Sequence, residues 1–337
     1  MTRFIIRRLI SIPLLLLGIV SIAFLISHNT QGDPLASIVS ERQMDNPEVV
    51  AAAKARWGLD KSLPEQYVLY LRNLITGDLG TSFRTKQGVG KDILERLPAT
   101  LELVIAAMIL GVGSGIVLGV LAARFRNKPI DHAARLWALT GSSTPVFWSG
   151  LILLYIFSVV LGWLPGPGRL DPRSVPPEFM TGFLTIDTLL AGDFAAFGDA
   201  LHHLILPALV LGWTVMGIVS RLVRGSMLDV LSQDYIVAAR ARGAGELRVL
   251  LNHALRNALV PTLTIIGFTF AYLITGAVLT ETIFSWPGIG SYAVEAARNL
   301  DYPAIIGVTI VGGTAFLLSN LATDIAYAFA DPRIRLS

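Results

Sequence analysis

Residues 104–123, VIAAMILGVGSGIVLGVLAA, contain no Asp, Glu, Lys, Arg or His. A run of about 20 apolar residues is what a helix needs to cross the hydrocarbon core of a bilayer, and an uncharged run of that length is better suited to lipid than to water. Working outward from it, five comparable segments follow. With this one, extended to Ala99–Ala123, the expected spans are Leu9–Ser27, Leu136–Leu161, Leu204–Val223, Leu259–Ile283 and Pro303–Phe329. The composition agrees: 53% of the 337 residues are hydrophobic and 15% charged, against about a quarter charged in soluble domains. The fold class expected is an all-α membrane protein with six transmembrane helices.

The chain opens MTRFIIRRLISIPLLLLGIVSIAFLIS, which begins like a secretory signal. Its apolar run exceeds the usual h-region of about 7–15 residues, and no A-x-A-like cleavage site follows. Residues 1–28 are therefore expected to remain as an N-terminal transmembrane helix. The absence of cysteine excludes disulfides, thiolate metal sites and cysteine nucleophiles. A net charge of only +3 gives no nucleic-acid footprint, so the arginines are read by the loops that hold them.

Short loops rich in Lys and Arg mark the cytoplasmic side. Arg3, Arg7 and Arg8 precede the first span; Arg124, Arg126, Lys128 and Arg135 surround the second-to-third loop; Arg221, Arg224, Arg240, Arg242, Arg248 and Arg256 fill the fourth-to-fifth; Arg333 and Arg335 close the chain. Both termini are thus expected in the cytoplasm. Residues 29–98 form an extracytoplasmic cap segment, in which PEVVAAAKARWGL and PEQYVLYLRNLITGDLG each open with Pro-Glu and run in helix-compatible residues to a Gly. Residues 99–337 form a five-helix core that includes a cytoplasmic loop, 224–258.

The centres of these spans carry no ionisable residue, whereas ion-coupled transporters keep such groups within the bilayer. Energy is expected to enter from elsewhere. Glu102, His202, His203, Arg221, Glu281 and Asp324 fall near span ends, at headgroup level or in local pairs, and no metal is assigned to the adjacent histidines. Gly111, Gly115 and Gly119 recur every four residues, which puts three small residues on one helix face for close packing. That face could meet a helix of the same chain or of a neighbouring subunit. Pro145 and Pro207 are expected to kink spans three and four. TKQGVGKD, 85–92, lacks the first Gly and the hydroxyl residue of a phosphate loop, so the chain is not expected to hydrolyse nucleotide. No histidine lies at a span centre to activate an intramembrane serine, which leaves no catalytic residue to assign.

The fourth-to-fifth loop reads QDYIVAARARGAGELRVLLNHALRNALVP, 233–261. Tyr235, Ala238, Ala239 and Arg242 recur at helical spacing, Gly243 and Gly245 break the helix, and ELRVLLNHALRNALVP starts another. Two short helices meeting at a small-residue bend make a projecting knob, suited to a groove on a partner. A loop lying on the lipid surface would explain the arginines but neither the paired helices nor the Gly bend.

This loop resembles that of the permease subunits of binding-protein-dependent ABC importers, in particular the first of the two permeases of dipeptide/oligopeptide systems. That family has a Glu-Ala-Ala, three residues, Gly pattern here; Ala238, Ala239 and Gly243 match it, Val237 stands at the glutamate position, and the closing Leu-Pro appears only as Leu259-Val260-Pro261. Also similar are GDP at 32–34, WGLDKSLPEQYVLYLRNLITGDLGTS in the cap, RLPATLEL, STPVFWSG, LILPALVLG, LTETIFSWPGIG, NLDYP and DPRIR at 331–335. The resemblance implies a coupling helix contacting an ATP-binding subunit through Tyr235, Ala238, Ala239, Arg240, Arg242, Gly243, Ala244, Gly245 and Glu246. It implies a second homologous permease, two ATP-binding subunits that hold the ATP and Mg, and an extracytoplasmic substrate-binding protein, while this chain binds no cofactor. The cargo implied is dipeptides or oligopeptides, although similar permeases also carry nickel chelates, glutathione and other small solutes. The alternative from the residues alone is a stand-alone secondary transporter or channel.

Overall fold

In the computed structural model, residues 2–29, 35, 39 and 43–330 are described; the motifs at 32–34 and 331–335, with Arg333 and Arg335, lie outside the described residues. The regular elements of the described chain are all helices, its one extended pairing being an isolated bridge between Thr81 and Gly88. The helices are α1 (Thr2–Asn29), α2 (Pro47–Trp57), α3 (Leu63–Ile75), α4 (Val89–Arg124), α5 (Pro129–Ser143), α6 (Val146–Leu154, continuing as a wider π-helical turn over Tyr155–Val160), α7 (Leu184–Leu190) and α8 (Phe194–Leu231). They continue with α9 (Asp234–Ala241), α10 (Glu246–Arg248, widening over Val249–Leu255 and ending at Arg256–Ala258), α11 (Val260–Gly276), α12 (Val278–Ile283), α13 (Ile289–Arg298) and α14 (Tyr302–Ala330).

Three of these, α4, α8 and α14, are each long and apolar enough to cross a membrane alone. The α5–α6 and α10–α11 pairs pass the same test only together, bent by 104° and 56°, and α1 contributes a shorter apolar stretch at Ile10–Ile26. The kink expected at Pro145 within Leu136–Leu161 is thus a break between two helices. Thr144, which precedes a proline, is driven into the extended region at φ −77°, ψ 131°, and Pro145 has no N–H with which to continue α5. Pro207, by contrast, sits inside α8 without ending it. Both α4 and α8 also begin about ten residues before the expected spans, at Val89 and Phe194.

The centre of the molecule is the seam between α4 and α8. A β-carbon added at Gly111 would lie 2.6 Å from Val215 Cβ, one at Gly115 2.9 Å from Val219 Cβ, and one at Gly119 2.8 Å from Val223 Cβ. Partners that advance by four on both helices mean that α4 and α8 run parallel, backbone close to backbone. The glycine stripe packs within this chain. Because lipid solvates an apolar surface as well as another helix does, such close van der Waals packing, and not apolar burial, is what holds two spans together. Around the seam, Leu103, Val104, Ala107, Leu211, Val215, Val219 and Met227 are buried.

The cap begins with α2, where the Asn46 side chain accepts from the Glu48 N–H at 3.0 Å, and Pro47 opens the helix; Gly58 closes it at φ +68°. In α3 the Glu65 carboxylate accepts from both the N–H and the hydroxyl of Ser62, at 3.0 and 2.8 Å. That helix rests on α1 through Tyr67, whose hydroxyl is 2.6 Å from Ser21 Oγ, and through Phe24. Since α4 and α8 are parallel, the ends that follow Arg124 and Leu231 lie together, opposite the cap. We call these the hairpin end and the cap end.

Candidate functional site

At the hairpin end, α8 runs past the apolar seam to Leu231, turns at Ser232–Gln233, and hands over to α9. Ile236 and Ala239 face inward and are buried, Ile236 joining Val223, Met227, Val249, Leu250 and Ala254 in the central cluster. The bend that follows is closed by two backbone bonds: Gly243 N–H to Arg240 C=O at 2.9 Å and Ala244 N–H to Ala239 C=O at 3.2 Å. This pair of bonds is the Schellman ending of a helix and requires a left-handed residue, which Gly243 supplies at φ +83°. A side chain at that position would meet no neighbour but would strain the backbone. Gly245 then caps α10 at an ordinary φ of −61°.

Two polar links hold the two helices at their angle. Arg240 donates from Nε and Nη2 to the two oxygens of Glu246, at 3.2 and 2.9 Å, across the bend. The carboxylate holds the Arg240 guanidinium above its ordinary value. Asn257 donates to the Tyr235 hydroxyl at 2.7 Å, and that hydroxyl donates to His253 C=O at 3.3 Å. Arg242 folds back on its own helix, Nε donating to Ala238 C=O at 3.2 Å. Outward, the hairpin presents Val237, 58% exposed, and Leu247, 64% exposed, beside exposed Ala238, Gly243, Gly245 and Leu251, with Ala244 half-buried between them. Val237, at the position where the family pattern has an acid, thus points away from the chain's own core.

The base of the hairpin is clamped by a pair that the sequence reading did not single out. Asp131, fully buried in the first turn of α5, accepts from Arg224 Nε and Nη2 at 2.7 and 2.8 Å and from the Asn127 N–H at 2.9 Å; Arg135 lies 3.4 Å away. A two-pronged guanidinium–carboxylate contact fixes orientation as well as distance. It joins the loop after α4 to the part of α8 that leads into the hairpin. The available signal was that Asp131 is the one acid in a basic stretch, residues 124–135.

Of the residues named near span ends, Glu102, Glu281, His202 and His203 lie at the cap end. Glu102 accepts from Arg169 at 2.5 Å and from the N–H and hydroxyl of Thr185 at 2.8 and 2.7 Å. Glu281, fully buried, accepts from the Thr100 hydroxyl at 2.6 Å and the Ser291 N–H at 2.8 Å, and Trp286 donates to Ala99 C=O at 2.7 Å. His203 Nδ1 lies 3.1 Å from the Asp199 carboxylate, and His202 Nε2 3.0 Å from Trp163 C=O. Asp187 is buried, which pushes its carboxyl up, yet bonds from the Thr181 hydroxyl and from the N–H groups of Thr181, Gly182 and Met180 hold it below its ordinary value. At the hairpin end Arg221 donates to Gly217 C=O at 3.2 Å. Among the described residues no group of three or more His, Asp or Glu is placed to hold a metal.

Comparison with known proteins covers the whole length. Residues 1–104 match the family described as "Binding-prot-dependent transport system membrane comp, N-term", and residues 115–336 the family described as "Binding-protein-dependent transport system inner membrane component". The chain is 45% identical over 336 residues to the Di/tripeptide transport system permease protein DppB of Pseudomonas aeruginosa (strain UCBPP-PA14), covering 99% of each. It is 44% identical over 328 residues to the Probable D,D-dipeptide transport system permease protein DdpB of Escherichia coli (strain K12), covering 97% of this chain and 96% of that one. To the Dipeptide transport system permease protein DppB of the same strain it is 42% identical over 337 residues, 99% of each.

Proposed function

The chain belongs to the binding-protein-dependent transport system inner membrane components, and from that membership we propose that it forms half of the translocation pathway of an ATP-driven importer of dipeptides or oligopeptides. It spans the membrane six times, counting α1 and each bent pair as one span, with both termini and the hairpin in the cytoplasm. A second homologous permease completes the pathway. Two ATP-binding subunits dock below, holding the ATP and Mg, and a substrate-binding protein delivers the peptide to the cap end. This chain does no chemistry of its own.

The observation that carries the coupling role is the two-sidedness of the hairpin. Its inner face buries Ile236 and Ala239, and Ile236, Val249, Leu250 and Ala254 belong to the same cluster as the α4–α8 seam. Its outer face leaves Val237, Ala238, Leu247 and Leu251 uncovered. A force applied to the outer face reaches the seam without a flexible joint. From there α8, 38 residues long and so about 57 Å at 1.5 Å per residue, carries it to the cap end. ATP binding draws the two ATP-binding subunits together, the hairpins follow, and the spans rock between inward-open and outward-open states. This requires that ATP bind one of the two states better than the other.

The test is uptake into vesicles that contain this chain, the second permease and the two ATP-binding subunits, with the binding protein outside and ATP inside. Accumulation of a labelled dipeptide that needs ATP and all partners is expected. Uptake by this chain alone without ATP would make it a stand-alone transporter.

A further inference from the structure

Between the cap and the start of α14 lies a cavity of about 390 Å³ whose lining is half polar. Its floor is Phe24 of α1 with Tyr302 and Ile306 of α14, and its walls are Lys61, Tyr70 and Asp78 of the cap. Three features separate it from an ordinary surface crevice. First, Tyr70 Oη is buried with no hydrogen-bond partner among the described residues, and a buried hydroxyl left unpaired is costly unless something else accepts from it. Burial, and then the Asp78 carboxylate, push this hydroxyl upward. Second, one lining residue brings an ammonium and another a carboxylate. Asp78 uses Oδ1 to accept from the Gly80 N–H at 2.8 Å, and both Lys61 and Asp78 are exposed to whatever enters.

Third, the position is that of a headgroup. α1 and α14 pack against one another as an antiparallel pair: Val20, Phe24 and Ile306 share one cluster, and Ile19 lies against Gly313. Phe24 and Ile306 therefore mark the cap-side ends of two apolar helices, with Tyr67, Tyr70 and Tyr302 around them at the level where aromatic residues meet the lipid interface. Further along α14 is a second cavity of about 440 Å³, almost entirely apolar, between α14 at Gly312 and Phe316 and the α11–α13 residues Ile274, Val278 and Ile289, with Ile19 of α1 at its edge. Along α14 the polar chamber at the interface is followed by an apolar one deeper in, the order of the two parts of a phospholipid.

We propose that the cavity between the cap and α14 binds the headgroup of a zwitterionic phospholipid, its phosphate on Lys61 and the Tyr70 hydroxyl and its ammonium on Asp78. The inference goes beyond the transport reading and needs only that α1 and α14 cross the membrane, so it stands whatever solute is carried. Bound there, the lipid would brace the cap against the span pair that supports it.

The full transporter complex, purified in detergent and stripped of lipid, is titrated with phosphatidylethanolamine and with phosphatidylglycerol, and retained adducts are counted by native mass spectrometry. Retention of phosphatidylethanolamine over phosphatidylglycerol is expected, falling about tenfold in Asp78→Asn and in Lys61→Gln, each of which removes one charged contact. Both are surface substitutions, and Tyr70→Phe, which deletes only the hydroxyl, gives a third, smaller decrement. Equal retention of the two lipids, or adducts unchanged by all three variants, would overturn the proposal. So would displacement of the lipid by dialanine, which would reassign the site to a free zwitterionic solute.

Discussion

The two ends of the molecule are held together in opposite ways. At the cap end, Glu102, Glu281, Asp92 and Asp301 are all buried carboxylates, each engaged by donors from distant parts of the chain. Ser82 donates to Asp301 at 2.5 Å, Tyr292 to Asp92 at 2.9 Å, and Arg84 pairs with Glu295. At the hairpin end one buried carboxylate, Asp131, clamps the base, and beyond it α9 and α10 are held by apolar side chains inside and, outside, by one exposed ion pair and the hydrogen bonds of the exposed Tyr235 hydroxyl. Directional bonds from several elements make a rigid plate. A knob seated on apolar contacts, with its outer face bare, can accept a partner and pass on its motion.

That contrast can be broken or sharpened by substitution. The largest effect is expected from Gly243→Trp, which strains the left-handed bend and fills the exposed face: the complex assembles but ATP-driven uptake is lost. Gly192→Trp imposes a comparable strain at the cap end, where Gly192 has φ +71° and open space around it, and is expected to keep uptake. Wild-type uptake by Gly243→Trp with normal assembly would contradict the docking role. Next comes Asp131→Ala, which strands Arg224 beside the protein interior and is expected to cost about 3–5 kcal/mol, read as a drop in thermal stability of the purified complex. A loss under 1 kcal/mol would mean that the clamp does not hold the base.

Overpacking the seam is expected to cost less. Gly115→Leu puts a side chain where Val219 Cβ already lies within 2.9 Å of the first added carbon, for about 1–3 kcal/mol and a lower yield of assembled complex. An unchanged yield and stability would show the seam to be looser than the structure has it. The smallest effect is expected from Arg240→Ala. Its pair with Glu246 is nearly half exposed on both sides, and such pairs are worth about 0–1 kcal/mol. The complex should melt within a degree or two of wild type, and any loss of uptake then reports lost contact with a partner and not a disordered hairpin.

Much of this was legible in the sequence because it is local. The uncharged run at 104–123 gave α4, the Pro-Glu openings gave α2 and α3, and Gly243 gave the bend, since each depends only on neighbouring residues. The spacing of Tyr235, Ala238, Ala239 and Arg242 gave the helix but not its inner face, which Ile236 and Ala239 form. What stayed hidden depends on distance. Thr100 meets Glu281 across 181 positions and Arg224 meets Asp131 across 93, and no spacing rule connects them. The proline at 145 announced a kink, but its 104° size follows from how α5 and α6 each pack on α8, Gly141 and Gly217 admitting α5 closely beside Trp213 and Ser142. The glycine stripe showed a close helix contact without naming the helix; only the fold assigns it to α8.

The most direct test of the coupling role uses Gly245→Cys in a chain that has no other cysteine. Gly245 is exposed, has an ordinary φ, and a β-carbon there meets nothing within 4 Å, so the substitution leaves the hairpin intact. With a thiol-specific photocrosslinker in the assembled membrane, capture of an ATP-binding subunit is expected, with a yield that changes when ATP is added. Capture of lipid alone by a complex that still transports would contradict the account of the hairpin as the coupling element.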